Sequence, residues 1–358
     1  MHGQSDMASV RLNTRIHKVN IFMNKHRSVA PIKIVINGFG RIGRPILRLL
    51  AQGNTGIEII AINDIAPLET CAYLFQYDSV FGPFQGTGET GENCLIVNGH
   101  KIPFYQTEDI GTLDLGGVDV LLECTGLADT RAVAMRGINA GAKAVLISGP
   151  SDAADATVVL GANEAAIADH KVISNASCTT NALAPLLRVL DDNFGVESGH
   201  MTTVHCYTGS QPTVDKPRGN LARSRAANLS MVPTTTSAQR LTDMVLPHLK
   251  GRIEARAIRV PTASVSAIDL AIQTKTNVNI ETVNTVLKQA AETSPVFGWI
   301  TQPLVSTDLR ARPESIIMNS RETSVSVGGL LRVFGWYDNE WGFSNRMLDM
   351  ARLMSGRD

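Results

Sequence analysis

From residue 31 onward, short β-branched runs alternate with stretches whose apolar residues recur at helical spacing. Ile32-Lys-Ile-Val-Ile36 reads as a buried strand, and Pro45-Ile-Leu-Arg-Leu-Leu50 as a helix. Pro45 is tolerated in a first turn, where backbone N–H groups lack intrahelical partners. Ile57-Glu-Ile-Ile-Ala-Ile62 is a second strand. Val118–Leu122, Ala144–Ser148, Thr157–Leu160 and Lys171–Ser174 are further strands. A helix is expected from Arg131 to Ala140, ended by Gly141. This rhythm predicts an α/β fold with a parallel sheet and a ligand at the strand C-termini. The glycine-rich stretch 82–99 reads as a loop or hairpin insertion without chemistry of its own.

The first predicted strand runs directly into Asn37-Gly-Phe-Gly-Arg-Ile-Gly43, a G-x-G-x-x-G loop that includes Arg41 and Ile42. In a dinucleotide fold Gly38 permits the tight turn. Gly40 lets a pyrophosphate approach the backbone, and Gly43 lets helix and strand pack closely. The phosphates then meet the helix N-terminus. The second strand ends in Asn63-Asp64. An acid there accepts from ribose hydroxyls and repels a 2′-phosphate, which favours NAD over NADP. Thr125-Gly126 and Ser148-Gly149 follow two other strands, within reach of the nicotinamide half. Strand, loop, helix, strand and acid together specify far more than the glycine pattern alone.

Composition narrows the class. The 358 residues carry 33 Lys plus Arg against 33 Asp plus Glu, a net charge of zero. That argues against a dedicated nucleic-acid binder, and 44% apolar content argues against disorder. No run approaches the length of a membrane span. Five scattered cysteines without a C-x-x-C pair suggest a reducing, cytoplasmic setting. No metal-ligand spacing is present. Residues 1–30 hold five Lys or Arg (Arg11, Arg15, Lys18, Lys25, Arg27) and one acid, Asp6. They read as a disordered tail or an over-extended start before Met23, with a transit peptide as the alternative.

Ser174-Asn-Ala-Ser-Cys178-Thr-Thr-Asn181 joins a strand to a segment with Leu183, Leu186, Leu187 and Leu190. This puts Cys178 near a helix N-terminus, where the dipole is expected to lower the thiol pKa. Its Ser, Thr and Asn neighbours distinguish it from a cysteine serving as a small buried hydrophobe. Cys71, Cys94 and Cys124 sit in ordinary contexts.

Asn37–Arg44, Ser174–Asn181 and Trp336-Tyr-Asp-Asn-Glu-Trp-Gly342 resemble the phosphorylating glyceraldehyde-3-phosphate dehydrogenase family from about residue 31 to the C-terminus. The resemblance implies a Rossmann-type NAD-binding domain (31–177, completed by a C-terminal helix at 339–358). It also implies an α+β catalytic domain (178–338) with a mostly antiparallel sheet. It makes Cys178 the nucleophile, and His205, in Thr202-Thr-Val-His205-Cys-Tyr-Thr208-Gly, the base. Ser177, Thr179, Thr208, Arg223, Thr236 and Arg259 become ligands of substrate or inorganic phosphate. Asn339 holds the nicotinamide carboxamide. Residues 207–230 resemble the S-shaped loop lining a neighbouring subunit's cofactor site, which implies a homotetramer. The implied activity is NAD-dependent oxidative phosphorylation of glyceraldehyde 3-phosphate through a cysteine thioester.

Several positions depart from the family pattern. Ala182 replaces a second cysteine, Ser210 an Asp, Ala222 an Arg and Ser237 a Gly. Arg312-Pro-Glu-Ser315 replaces a His-Ser-Ser type stretch, and Phe343 replaces a Tyr. Lys216 lies near the adenosine ribose side in the family. Most of these changes fall on phosphate handling. They keep two rivals open: an erythrose-4-phosphate dehydrogenase and a non-catalytic NAD-binding paralogue.

Overall fold

The computed structural model describes residues 30–53 and 56–356. The readings of the N-terminal tail lie outside the described residues. The β-branched runs form β1 (Ile32–Asn37), β2 (Ile57–Asn63), β3 (Gly88–Gly91), β4 (Cys94–Val97), β5 (His100–Tyr105), β6 (Val120–Glu123), β7 (Ala144–Ile147), β8 (Ala156–Thr157) and β9 (Val172–Ser174). They make one sheet in the order β3-β4-β5-β2-β1-β6-β7-β9-β8. From β5 to β8 every pairing is parallel. The glycine-rich stretch belongs to an antiparallel meander, β3 through β5, on one edge.

Alternating side chains feed two cores. Ile34 and Ile36 of β1 pack in one cluster with Leu122 and Leu146. Val35 packs on the other face with Leu121, Val145 and Val172. Helix α1 (Gly43–Leu50) and α2 (Leu68–Gln76) follow β1 and β2. Two of the predicted elements come out shorter. The expected 131–140 helix divides into single turns, α3 (Arg131–Ala134) and α4 (Arg136–Asn139). The division falls at Met135, and Gly137 lets α4 lie against β6, where a Cβ would be 2.3 Å from Leu121 Cδ2. The expected strand 157–160 keeps only β8. Asn163 accepts from Val159 N–H at 2.8 Å and donates to the Thr157 carbonyl at 3.0 Å, using the backbone groups a longer strand would pair.

The chain then enters α5 (Cys178–Phe194), followed by β10 (Val196–Cys206), β11 (Val232–Thr234), α6 (Ala238–Val245), β12 (Ile253–Val260), β13 (Ser266–Thr274), α7 (Ile280–Thr293), β14 (Phe297–Ile300), β15 (Ile316–Asn319), β16 (Ser324–Val325), β17 (Leu331–Tyr337) and α8 (Trp341–Met354). The second sheet runs β11-β12-β10-β13-β17-β15-β14, with β16 paired to β17. Only β10/β12 and β14/β15 are parallel. Leu183, Leu186, Leu187 and Leu190 of α5 are fully buried against Met201, Ile268, Leu270 and Val333. Each contributes about 1.5–3 kcal/mol by leaving water. Phe343 and Met347 of α8 return to the first sheet's core beside Ile34 and Ile36.

Candidate active site

Strand order reverses at β1 and β6, so the loops leaving their carboxyl ends border a crevice. The three glycines there do different things. Gly38 has φ +94°, and a Cβ on it would meet the Cys124 and Thr125 backbone at 2.7 Å. A Cβ on Gly43 would lie 2.3 Å from the Gly38 carbonyl oxygen. At Gly40 a Cβ would meet nothing within 4 Å, so this glycine presents open backbone to the crevice. These are the positions a pyrophosphate cradle requires.

Asp64 accepts from Phe39 N–H at 2.6 Å and from Ala66 N–H at 2.8 Å, which aims its carboxylate along the glycine loop. The Arg41 guanidinium is committed to Asp78 and Glu340. Thr125 is exposed at the crevice, its N–H and hydroxyl bonded to Glu123. Ser148 N–H donates to the Glu123 carbonyl at 2.9 Å. Sequence reasoning missed Glu123 itself. Its buried carboxylate accepts from Asn37, which in turn accepts from Asn63 at 2.8 Å. The network ties the ends of β6, β1 and β2. Its only signal in the sequence is polar residues ending apolar strands.

The reactive end of the site lies on α5 and the second sheet. Ser177 caps α5, accepting from Thr180 N–H at 3.1 Å, and Cys178 is the first helical residue. His205 stands near the end of β10, in register with Arg259 on parallel β12. Cys178 Sγ lies 3.6 Å from His205 Nε2. His205 Nδ1 lies 2.7 Å from the Cys206 carbonyl, and Arg259 Nη1 donates to the same carbonyl at 3.1 Å while standing 2.8 Å from Nδ1. Nδ1 can donate to that carbonyl or accept from Arg259, and the first tautomer leaves the Nε2 lone pair toward the thiol. Burial and the Arg259 charge hold the His205 imidazole down at about 3, so it rests neutral.

The thiol departs from expectation. Burial pushes the Cys178 pKa up, by more than Arg259 and Thr179 lower it. Burial thus works against the lowering expected of a helix N-terminus. Burial favours the neutral form of both thiol and imidazole, which stand within hydrogen-bond distance.

A cavity of about 350 Å³ opens on this pair. Its walls include Ser177, Thr179, Arg223, Thr236, Ser237 and Arg259. Arg223 is braced by Thr234 Oγ1 at 2.7 Å and the Thr235 carbonyl at 2.9 Å. The Thr179 hydroxyl is engaged 2.9 Å from the buried Tyr337 hydroxyl, which is also 2.8 Å from Thr203. Thr208 is not part of these walls; its hydroxyl pairs with Ser210 at 2.9 Å. Asp338 accepts from the N–H groups of Glu340 and Trp341 at 3.0 and 2.9 Å, fixing the turn that carries Asn339.

Two sequence models cover most of the chain. One, for the glyceraldehyde 3-phosphate dehydrogenase NAD binding domain, matches residues 32–131. The other, for the C-terminal domain of the same enzyme, matches residues 177–339. The chain belongs to the glyceraldehyde-3-phosphate dehydrogenase family. It is 45% identical over 327 residues to the glyceraldehyde-3-phosphate dehydrogenase of Cereibacter sphaeroides, covering 90% of this chain and 98% of that one. It is 46% identical over 333 residues to the Pseudomonas aeruginosa enzyme, covering 91% and 99%. It is 46% identical over 329 residues to that of Xanthobacter flavus, covering 90% and 98%.

Within this glyceraldehyde-3-phosphate dehydrogenase family member the unusual residues are quietly accommodated. Ala182 is fully buried in the core under α5, and Phe343 is buried in α8. Arg312 pairs with Glu314. Ser237 is the departure that lines the reactive cavity.

Proposed function

We propose that the chain oxidises glyceraldehyde 3-phosphate with NAD⁺ and inorganic phosphate to 1,3-bisphosphoglycerate, as the family and its glycolytic role imply. The observation that carries this reading is the 3.6 Å Cys178–His205 contact inside a cavity walled by two arginines. The residues of the crevice fit NAD. Gly40 presents bare backbone to the pyrophosphate, Asp64 is aimed to accept from the ribose, and Asn339 stands at the turn before α8. When bound, NAD⁺ accepts the hydride.

The chain's own groups do the rest. Cys178 Sγ attacks the aldehyde carbon as His205 Nε2 takes the thiol proton. His205 returns that proton to the aldehyde oxygen, then takes it again as the hydride departs. The thioester left on Cys178 is cleaved by inorganic phosphate, which frees the thiolate and gives the acyl phosphate. Arg223 and Arg259 hold the two phosphate groups, since a planar guanidinium can grip two oxygens at once. Ser177, Thr179 and Thr236 line the same walls, with the Thr179 hydroxyl taken up by Tyr337, and Thr208 lies outside them.

We assign residues 31–177 with 339–358 to the cofactor domain and 178–338 to the catalytic domain. A cytoplasmic homotetramer is the assembly proposed. Val214, Leu221, Leu229 and Met231 are between 71 and 87% exposed along one loop segment. So much apolar surface in one segment is expected of a chain that meets another copy there. No helix among the described residues is long and apolar enough to cross a membrane.

The test is NADH formation with glyceraldehyde 3-phosphate in the presence and absence of phosphate. Turnover that favours erythrose 4-phosphate and ignores phosphate would replace this reading with that of the related dehydrogenase. Absence of turnover on either aldehyde would leave an NAD-binding paralogue.

A further inference from the structure

Cys206 is a buried thiol that the proposed chemistry does not use. It follows His205 at the end of β10 and is fully buried. Its neighbours form a short hydrogen-bonded relay. The Cys206 backbone N–H donates to Ser266 Oγ at 3.2 Å. Ser266 Oγ–H then points at Cys206 Sγ, 3.4 Å away, and at Asn339 Oδ1, 3.3 Å away. The Cys206 thiol itself donates to Asn339 Oδ1 at 3.0 Å. Ser266 is fully buried and Asn339 nearly so.

The direction of this relay is not arbitrary. A backbone N–H can only donate, so Ser266 receives there and gives its own proton onward. Sulfur is a weak acceptor, and an amide turned the other way would leave the thiol proton without a strong partner. Asn339 Oδ1 is thus the end that faces the buried donors. Its Nδ2 makes no hydrogen bond with the described residues. Burial pushes the Cys206 thiol up to about 12, so it keeps its proton throughout the working pH range.

We infer that Cys206 and Ser266 are positioning residues that set which end of the Asn339 amide faces the cofactor. A fixed Nδ2 donor recognises a carbonyl and rejects an amino group, and so selects one orientation of the nicotinamide carboxamide. That orientation decides which ring face receives hydride. The inference rests on Asn339 being the nicotinamide ligand.

The test is steady-state NAD⁺ kinetics together with the stereochemistry of deuterium transfer from aldehyde-deuterated glyceraldehyde 3-phosphate, read by NMR of the NADH formed. Cys206→Ala is expected to raise the KM for NAD⁺ about fivefold, the effect of one lost hydrogen bond. It is also expected to place measurable deuterium on the wrong face. Cys206→Ser keeps a donor and should restore most of the fidelity. Ser266→Ala should err in the same direction as Cys206→Ala. Asn339→Ala separates the two layers of the inference. If it changes neither KM nor stereochemistry, the nicotinamide assignment fails, and the inference with it. If Asn339→Ala disturbs both while Cys206→Ala and Ser266→Ala only lower the melting temperature, the assignment stands and the relay is merely structural.

Discussion

Cys178 and His205, the groups proposed to carry the chemistry, stand 3.6 Å apart, and burial favours the neutral form of each. Nothing in their separation along the chain shows that they meet. Cys178 is legible in the sequence because polar residues crowd it where a core cysteine would have apolar ones. The pairing with His205 became visible only through the family resemblance, since it depends on β10 ending beside the start of α5. The depressed imidazole and raised thiol were not legible, because burial is a property of the fold. Replacing His205 with Asn is expected to lower kcat by about 10²- to 10⁴-fold, the range for a lost general base. Binding of NAD⁺, measured by fluorescence titration, should change little. Cys178→Ser should abolish NADH formation, and a variant that retained most of it would contradict the thioester route. The Glu123 and Cys206 networks escaped the sequence for a related reason: their partners are distant in the chain.

At the scale of elements, the glycine loop was legible in detail because its requirements are steric and local. Gly43→Ala is expected to lower the melting temperature, since a Cβ would collide with the Gly38 carbonyl oxygen. Gly40→Ala should leave the melting temperature unchanged and raise the KM for NAD⁺, because a Cβ there meets only the space a pyrophosphate would use. Equal losses of stability in both variants would refute the division of roles.

Boundaries were less legible than elements. Strand β8 is short because a side chain, Asn163, competes for its backbone, and propensity does not register such competition. The Arg41–Asp78 pair was likewise invisible, and it fastens the glycine loop to the segment after α2. Although burial opposes it, the Asp78 carboxyl is held below its usual value of 3.8 by hydrogen bonds from Arg41, Phe81 and Val80. It therefore stabilises the fold above that pH, and the contribution fades as pH falls below 3.8. Asp78→Asn is expected to cost roughly 1 kcal/mol at pH 7, discounted because Arg41 is partly exposed. Thermal melts should give curves for the two proteins that converge in acid. A gap that widens in acid would contradict the sign.

For the whole molecule, a net charge of zero conceals local sorting. Arg223 and Arg259 converge on one cavity, while Arg41 and Arg312 are neutralised by acids beside them. This sorting suits a protein that meets small anions in one place and has no use for a broad basic face. The exposed apolar loop residues place the proposed tetramer on the same scale. Sedimentation should return a particle of four 38.5 kDa chains, and replacing Leu229 with Asp should reduce that mass. A wild-type particle the size of one chain would leave those side chains unexplained. Most direct of all is the absorbance of NADH with glyceraldehyde 3-phosphate as substrate. Sustained turnover is expected only when inorganic phosphate is present, and none from Cys178→Ser. Sustained turnover without phosphate, or turnover that survives loss of the thiol, would contradict the thioester mechanism.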